Sequence, residues 1–282
     1  VTPDGVGVTT LASGQCACPA GKYTGSVGQT SCTACESGKY QGNTASTECT
    51  DVLAGDYACL TGDTDGTGVT TLATGTCACP AGYYANGQGN TECTEVTAGN
   101  YACLSGDSDG EGEITQATDT CACPAGKYTG SDGQASCTDC EEGKYQGSTG
   151  TTVCTAAQQG YFASISDTAE TSAATGETQV AAGSYACDSN EGTPDGVGVT
   201  TLASGQCACP AGKYTGSVGQ TSCTGVLKGD YACLSGDNDG AGETSAATAS
   251  CACPAGKYTA SDGQTSCTDC EEGKYQGSTG TT

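Results

Sequence analysis

Apolar positions along this chain come in short bursts. Runs of three to five residues built from Val, Thr and Tyr, such as Val69-Thr70-Thr71-Leu72, lie between clusters of Gly, Asp and Ser. No segment keeps the three-to-four-residue apolar spacing of an amphipathic helix, and the short runs with turn residues between them predict hairpins. The runs also recur in order. A Gly-x-Tyr-Ala-Cys start at Cys59, Cys103, Cys187 and Cys233 is followed by an Asp/Gly-rich turn, a Thr-rich stretch and then Cys-Ala-Cys.

The recurrence reaches near-identity. Residues 3–33 repeat as 194–224, and residues 121–152 match 251–282 except at Gly130/Ala260 and Ala135/Thr265. Such self-similarity indicates tandem modules that stack in a line. Six segments follow: a partial long module (1–54), a short module (55–98), a long module (99–154), an Ala/Thr/Ser/Glu-rich stretch that is either spacer or degenerate module (155–182), a short module (183–228) and a long module (229–282). Within 155–182, Gly160-Tyr161-Phe162-Ala163-Ser164 looks like a module start whose Cys has become Ser. The expected fold class is small disulfide-rich all-β repeats, an elongated tandem array of short hairpins with little regular helix.

Composition narrows the class. Of 282 residues 46 are Gly and 24 are Cys, with no Trp, no Met and one Phe. A chain this poor in large apolar residues cannot bury one large core, so cross-links must supply much of the stability. Disulfides persist in oxidising compartments, which sets the expected location as secreted or cell-surface. Acids outnumber bases 32 to eight, the bases are all Lys, and seven of them sit in Gly-Lys-Tyr triplets. That balance excludes nucleic acid as an expected partner. No apolar run is long enough for a transmembrane helix.

Twenty-four cysteines permit many pairings, and the repeats narrow them because equivalent modules should share one scheme. The simplest scheme joins neighbours. The Cys of Tyr-Ala-Cys pairs with the first Cys of Cys-Ala-Cys: Cys59 with Cys77, Cys103 with Cys121, Cys187 with Cys207, Cys233 with Cys251. The second Cys closes the next loop: Cys18 with Cys32, Cys79 with Cys93, Cys123 with Cys137, Cys209 with Cys223, Cys253 with Cys267. Long modules close one more, Cys35 with Cys49 and Cys140 with Cys154. Cys16 and Cys270 are left over. Module comparison puts their expected partners before Val1 and beyond Thr282. A zinc reading of the Cys-x-x-Cys pairs is weaker, because the chain has no His and the short modules lack the motif.

The Cys-Pro-Ala-Gly-Lys-Tyr … Ser-Cys-Thr-x-Cys pattern resembles the ephrin-receptor-like and tumour-necrosis-factor-receptor-like cysteine-rich repeats. The resemblance covers residues 18–49, 123–154 and 253–282 well, and 79–93 and 209–223 in part. The Tyr-Ala-Cys half is similar to a loose epidermal-growth-factor-like loop. The resemblance implies extracellular, rod-forming modules used in receptors, surface antigens and fibres, without choosing among them. By analogy alone, the setting resembles mastigoneme-like extracellular fibres.

The Asp-rich turns are the main chemical candidates. Asp63, Asp65, Asp107, Asp109, Glu113, Asp237, Asp239 and Glu243 could bind calcium weakly through carboxylate and carbonyl oxygens. The competing reading is a solvated Asp-Gly hairpin turn, and the equivalent turn at Asp195 has only one of the acids. The tyrosines of Gly-Lys-Tyr are expected to cover cystines with their hydroxyls in water. No cofactor is required by any motif. The missing His removes the usual general base and nucleophile pairs, so the chain is expected not to be an enzyme. Thr and Ser residues are candidates for O-linked sugars. The expected function is a structural one: disulfide-stapled repeats that self-assemble with other copies into a rod, filament or surface appendage. The alternative is the stalk or ligand-binding ectodomain of a surface receptor, adhesin or variable antigen.

Overall fold

The computed structural model describes residues 16–165, 168–169, 173–189 and 194–280. The start of the first module, part of the 155–182 stretch and four residues before Pro194 therefore lie outside the described residues. The described residues contain no helix; their strands form eleven two-stranded sheets and one three-stranded sheet. The fold is a set of small disulfide-rich all-β tandem repeats.

One local device starts each hairpin. In Pro-Ala-Gly-Lys the N–H of Lys127 donates to the carbonyl of Pro124 (3.1 Å), with Gly126 at φ 85° between them. This is a four-residue turn whose third residue needs φ > 0, which glycine adopts without strain. The same turn closes over Glu36 to Lys39, Leu53 to Asp56 and Ala181 to Ser184. The strand begins at the residue after the glycine, and Tyr, a good strand former, is its second position.

The return strand has one register in short and long hairpins alike. In the short Gly38 hairpin, Lys39–Tyr40 pairs antiparallel with Thr50–Asp51, Lys39 opposite Asp51. In the long Gly55 hairpin, Asp56–Cys59 pairs with Gly75–Ala78, Asp56 opposite Ala78. In both cases the return strand ends four residues before the next turn glycine, Gly55 or Gly82. The long form is the short form with the Asp-rich turn inserted. What repeats in space is thus the Gly-x-Tyr hairpin, a smaller unit than the modules visible in the sequence.

The stretch at 155–182 carries the same hairpin. Tyr161–Ile165 pairs with Gly176–Gln179, and Phe162 and Val180 are buried. Residues Thr168–Ala169 add a third strand. Ala, Thr and Ser dominate the composition here, but the Gly160 turn and the buried Phe162 and Val180 hold the hairpin in place.

The chain divides into two compact units, Val1–Thr138 with Thr149–Val153, and Asp139–Ser148 with Cys154–Thr282. Inside each unit, backbone hydrogen bonds run from hairpin to hairpin. In the first, Gly55 donates to the carbonyl of Ala85 (2.9 Å) and Ala85 to that of Ala117 (3.0 Å). In the second, Gly183 donates to Thr215 (3.0 Å) and Thr215 to Ala247 (3.2 Å). Buried side chains form small separate clusters of three or four residues instead of one core.

Candidate functional site

Two kinds of cluster alternate within the units. The first is built on cystine. Tyr101, Cys103 and Cys123 are fully buried, with Cys121 and Cys137 packed against them, so one tyrosine ring lies among two disulfides. Tyr57, Tyr185 and Tyr231 sit in equivalent surroundings. The second kind is aliphatic: Val52, Ala58 and Ala73 hold Tyr40, and Val226, Ala232 and Ala247 hold Tyr214.

This arrangement corrects one expectation. Tyrosines of Gly-Lys-Tyr, such as Tyr40, Tyr145 and Tyr214, pack on Val and Ala trios. The residues that cover the cystines are those of Tyr-Ala-Cys. The reason is the hairpin register, which sets Tyr57 directly opposite Cys77.

Eleven disulfides join the eleven pairs set out above. Cys16 and Cys270 are free. Long hairpins carry an internal disulfide, as in Cys59 to Cys77. Short hairpins carry one from the residue three before the turn glycine, as in Cys79 to Cys93 ahead of Gly82. In the long hairpins that position is Val, Val52 before Gly55 and Val96 before Gly99, and both are buried. Each of these hairpins therefore has one staple, and its aliphatic or cystine filling follows from which staple it has.

The Asp-rich turns are held from two sides. From inside, the buried tyrosine hydroxyl accepts the N–H of the turn glycine: Gly66 to Tyr57 (3.1 Å), Gly110 to Tyr101 (3.2 Å), Gly196 to Tyr185 (3.3 Å) and Gly240 to Tyr231 (3.1 Å). From outside, the second aspartate accepts an N–H two residues on. Asp65 takes Thr67, Asp109 takes Glu111, Asp195 takes Val197 and Asp239 takes Ala241, all at 2.7 Å. These are Asx turns, in which a carboxylate substitutes for a backbone acceptor. The first aspartates, Asp63, Asp107 and Asp237, each accept the N–H of the second at 3.4 Å. Glu113 and Glu243 are placed by their backbone N–H groups, which donate to the carbonyls of Ala102 and Ala232. Among the described residues, no three of His, Cys, Asp and Glu are grouped so as to hold a metal ion.

The buried hydroxyls have a titration consequence. Burial pushes the Tyr57, Tyr101 and Tyr231 hydroxyls above their ordinary pKa of about 10, and the aspartates of each turn push the same way. The N–H donated by Gly66, Gly110 or Gly240 opposes the shift without cancelling it. A raised folded-state value means the folded chain holds these protons more tightly than the unfolded chain. Their contribution is therefore complete below about pH 10 and is lost as pH rises through the folded value. Phenolate absorbance should rise late for Tyr57, Tyr101 and Tyr231, and for Tyr145, which burial and Glu177 also raise, together with loss of near-ultraviolet circular dichroism. A single phase at about pH 10, with the fold intact, would contradict the burial.

Lysines of Gly-Lys-Tyr make surface ion pairs. Lys39 meets Asp51 (3.3 Å), Lys257 meets Asp269 (3.4 Å), Lys144 meets Glu141 (2.6 Å) and Lys274 meets Glu271 (2.8 Å). Lys144 holds the Glu141 carboxyl below its usual range through that hydrogen bond and its charge. Exposed pairs of this kind contribute little to stability.

Sequence reasoning missed a threonine clamp. Thr129 and Thr259 are buried, and each hydroxyl accepts the N–H of the glycine that starts the preceding hairpin, Gly99 and Gly229, at 2.7 Å. Each then donates to the carbonyl of the next residue, Asn100 (3.1 Å) and Asp230 (3.2 Å). The available signal was the Thr that follows Gly-Lys-Tyr in the hairpin after a long one. The structure shows a second feature: the turn glycine of one hairpin lies under a carbonyl of the hairpin two places on. Gly21 lies under Leu72, Gly55 under Gln116 and Gly82 under Gly133; in the second unit Gly143 lies under Leu202 and Gly183 under Ala246.

Comparisons with protein-family models and with curated proteins found no match for this chain. No helix among the described residues is long and apolar enough to cross a membrane.

Proposed function

We propose that this chain is a structural protein of the extracellular space, whose disulfide-stapled hairpins build a rod or filament that is extended by contacts between copies. The observation that carries the reading is the continuity of the stack. Within each unit backbone hydrogen bonds run from one hairpin to the next, side-chain clamps such as Thr129 to Gly99 add to them, and the turn glycines admit the hairpin two places on. Bonds of this kind leave few loose joints, as a stiff fibre element needs.

Other features support the same reading. The staples suit an oxidising compartment. The recurring buried groups are spent on holding turns and closing hairpins. A repeating surface can offer the same lateral contact at intervals, which favours linear or helical assembly. Exposed Thr and Ser side chains would carry any O-linked sugars, and the acidic surface keeps the material hydrated.

Electron microscopy of native material tests this. Ordered filaments whose axial repeat matches a long and short hairpin pair are expected. Isolated flexible rods projecting from membranes would overturn the filament and favour the stalk of a surface receptor or adhesin.

A further inference from the structure

One hairpin lacks both of the locks that its long relatives have. In the Gly55, Gly99, Gly183 and Gly229 hairpins, the fifth residue counted from the glycine is a cysteine bonded across the hairpin: Cys59, Cys103, Cys187 and Cys233. In the Gly160 hairpin that residue is Ser164. The residue at the partner position is Thr178, and the two hydroxyls lie 2.7 Å apart in a hydrogen bond. The register is the same: Ser164 stands opposite Gly176 as Cys59 stands opposite Gly75. The other lock is also missing. The position of the buried Tyr57, Tyr101, Tyr185 and Tyr231 is taken by Phe162, which is equally buried but has no hydroxyl to tie a turn.

The short-hairpin type of staple is absent here as well, since Ala157 stands where Cys79 or Cys209 would begin it. Between Cys154 and Cys187 there is accordingly no disulfide across 32 consecutive residues, 155–186. Between the other consecutive disulfide loops the longest unstapled runs are nine residues, 50–58, 94–102 and 224–232.

We propose that the Gly160 hairpin is the yield point of this chain: under tension, with all disulfides intact, it opens first and releases a length that no other segment can. A stapled hairpin cannot pay out the residues inside its loop, because the load passes through the cystine. The Gly160 hairpin can pay out all of its residues once the Ser164–Thr178 bond and the packing of Phe162 give way. The inference concerns the chain itself and holds for a filament subunit or a stalk. It gives an otherwise stiff stack one reversible extension.

Single-molecule force spectroscopy of the oxidised chain, held by handles next to Cys18 and Cys267 so that the unstapled ends carry no load, tests this. The lowest-force event should lengthen the chain by well over the roughly 30 Å available from a nine-residue run, approaching about 100 Å at full extension. In the double variant Ser164→Cys/Thr178→Cys, oxidised, that event should be about 40 Å shorter and need a higher force. A first event no longer than a nine-residue run allows, or one unchanged by the new disulfide, would overturn the proposal. Hydrogen exchange of the unaltered chain decides independently of that variant. The Val180 N–H, which donates to the carbonyl of Gly160 (3.0 Å), should exchange about tenfold or more faster than its counterparts. Those counterparts are the N–H groups of Cys79, Cys123, Cys209 and Cys253, bonded in the same way to Gly55, Gly99, Gly183 and Gly229. Equal rates would overturn it.

Discussion

Reduction of the eleven disulfides at neutral pH should unfold the chain. Each bond closes a loop with a sequence separation between 14 and 20 residues. In the chain-entropy model a loop of about 15 residues contributes roughly 3 kcal/mol. Even if half of that is realised per bond, the combined contribution exceeds the roughly 5–15 kcal/mol by which folded domains are ordinarily stable. The apolar clusters cannot make up the difference. Each holds only three or four buried residues, mostly Ala, Val and the half-cystines themselves. Reduction followed by thiol blocking should expand the hydrodynamic radius toward that of an unfolded chain and abolish the near-ultraviolet signal of the buried tyrosines. A reduced, blocked chain that stays compact would mean that the stack, and not the staples, holds the fold. Removing one long-hairpin staple, as Cys103→Ala with Cys121→Ala, should cost about 3 kcal/mol.

Gly82→Ala should be among the most damaging single substitutions outside the cystines, costing about 3 kcal/mol or more. Two effects combine there. Gly82 has φ 80°, a region that costs a residue with a side chain roughly 1–2 kcal/mol. An added Cβ would also overlap the carbonyl oxygen of Gly133, which belongs to the hairpin two places on. That neighbour is backbone, so no side-chain rotation relieves the overlap. Gly106→Ala provides the control. Gly106 has φ 94° but open space around its missing Cβ, so it should lose only the conformational part, about 1–2 kcal/mol. The difference between the two in chemical denaturation measures the contact between hairpins. Equal losses would show that the stack does not depend on that approach.

The staples were legible because of how the chain repeats. Near-identical modules must solve the same packing problem in the same way, so a pairing that works for Cys59 and Cys77 must also work for Cys233 and Cys251. Hairpins were legible from short Tyr-bearing runs between turn residues, but the Val69–Leu72 run lies in the loop between strands Asp56–Cys59 and Gly75–Ala78 and forms no strand itself. The common hairpin behind short and long modules was harder to see, because the inserted Asp-rich turn hides the equivalence of Gly38 and Gly55. So was the hairpin within 155–182. Its composition reads as a linker, yet Phe162 fills the site of a buried tyrosine.

The contacts between hairpins had almost no local signal. Leu72, Gln116, Leu202 and Ala246 share one role, with φ between 55° and 63°, yet they are of three residue types. What they share is a carbonyl facing a turn glycine from a hairpin two places earlier, and the residue next to each is a buried alanine: Ala73, Ala117, Ala203 or Ala247. A hairpin and its staple are settled by residues close along the chain, where spacing, turn chemistry and loop length act directly. The approach of one hairpin to another is settled between main chains. A main chain carries no letter in the sequence, apart from the glycine that makes room for it.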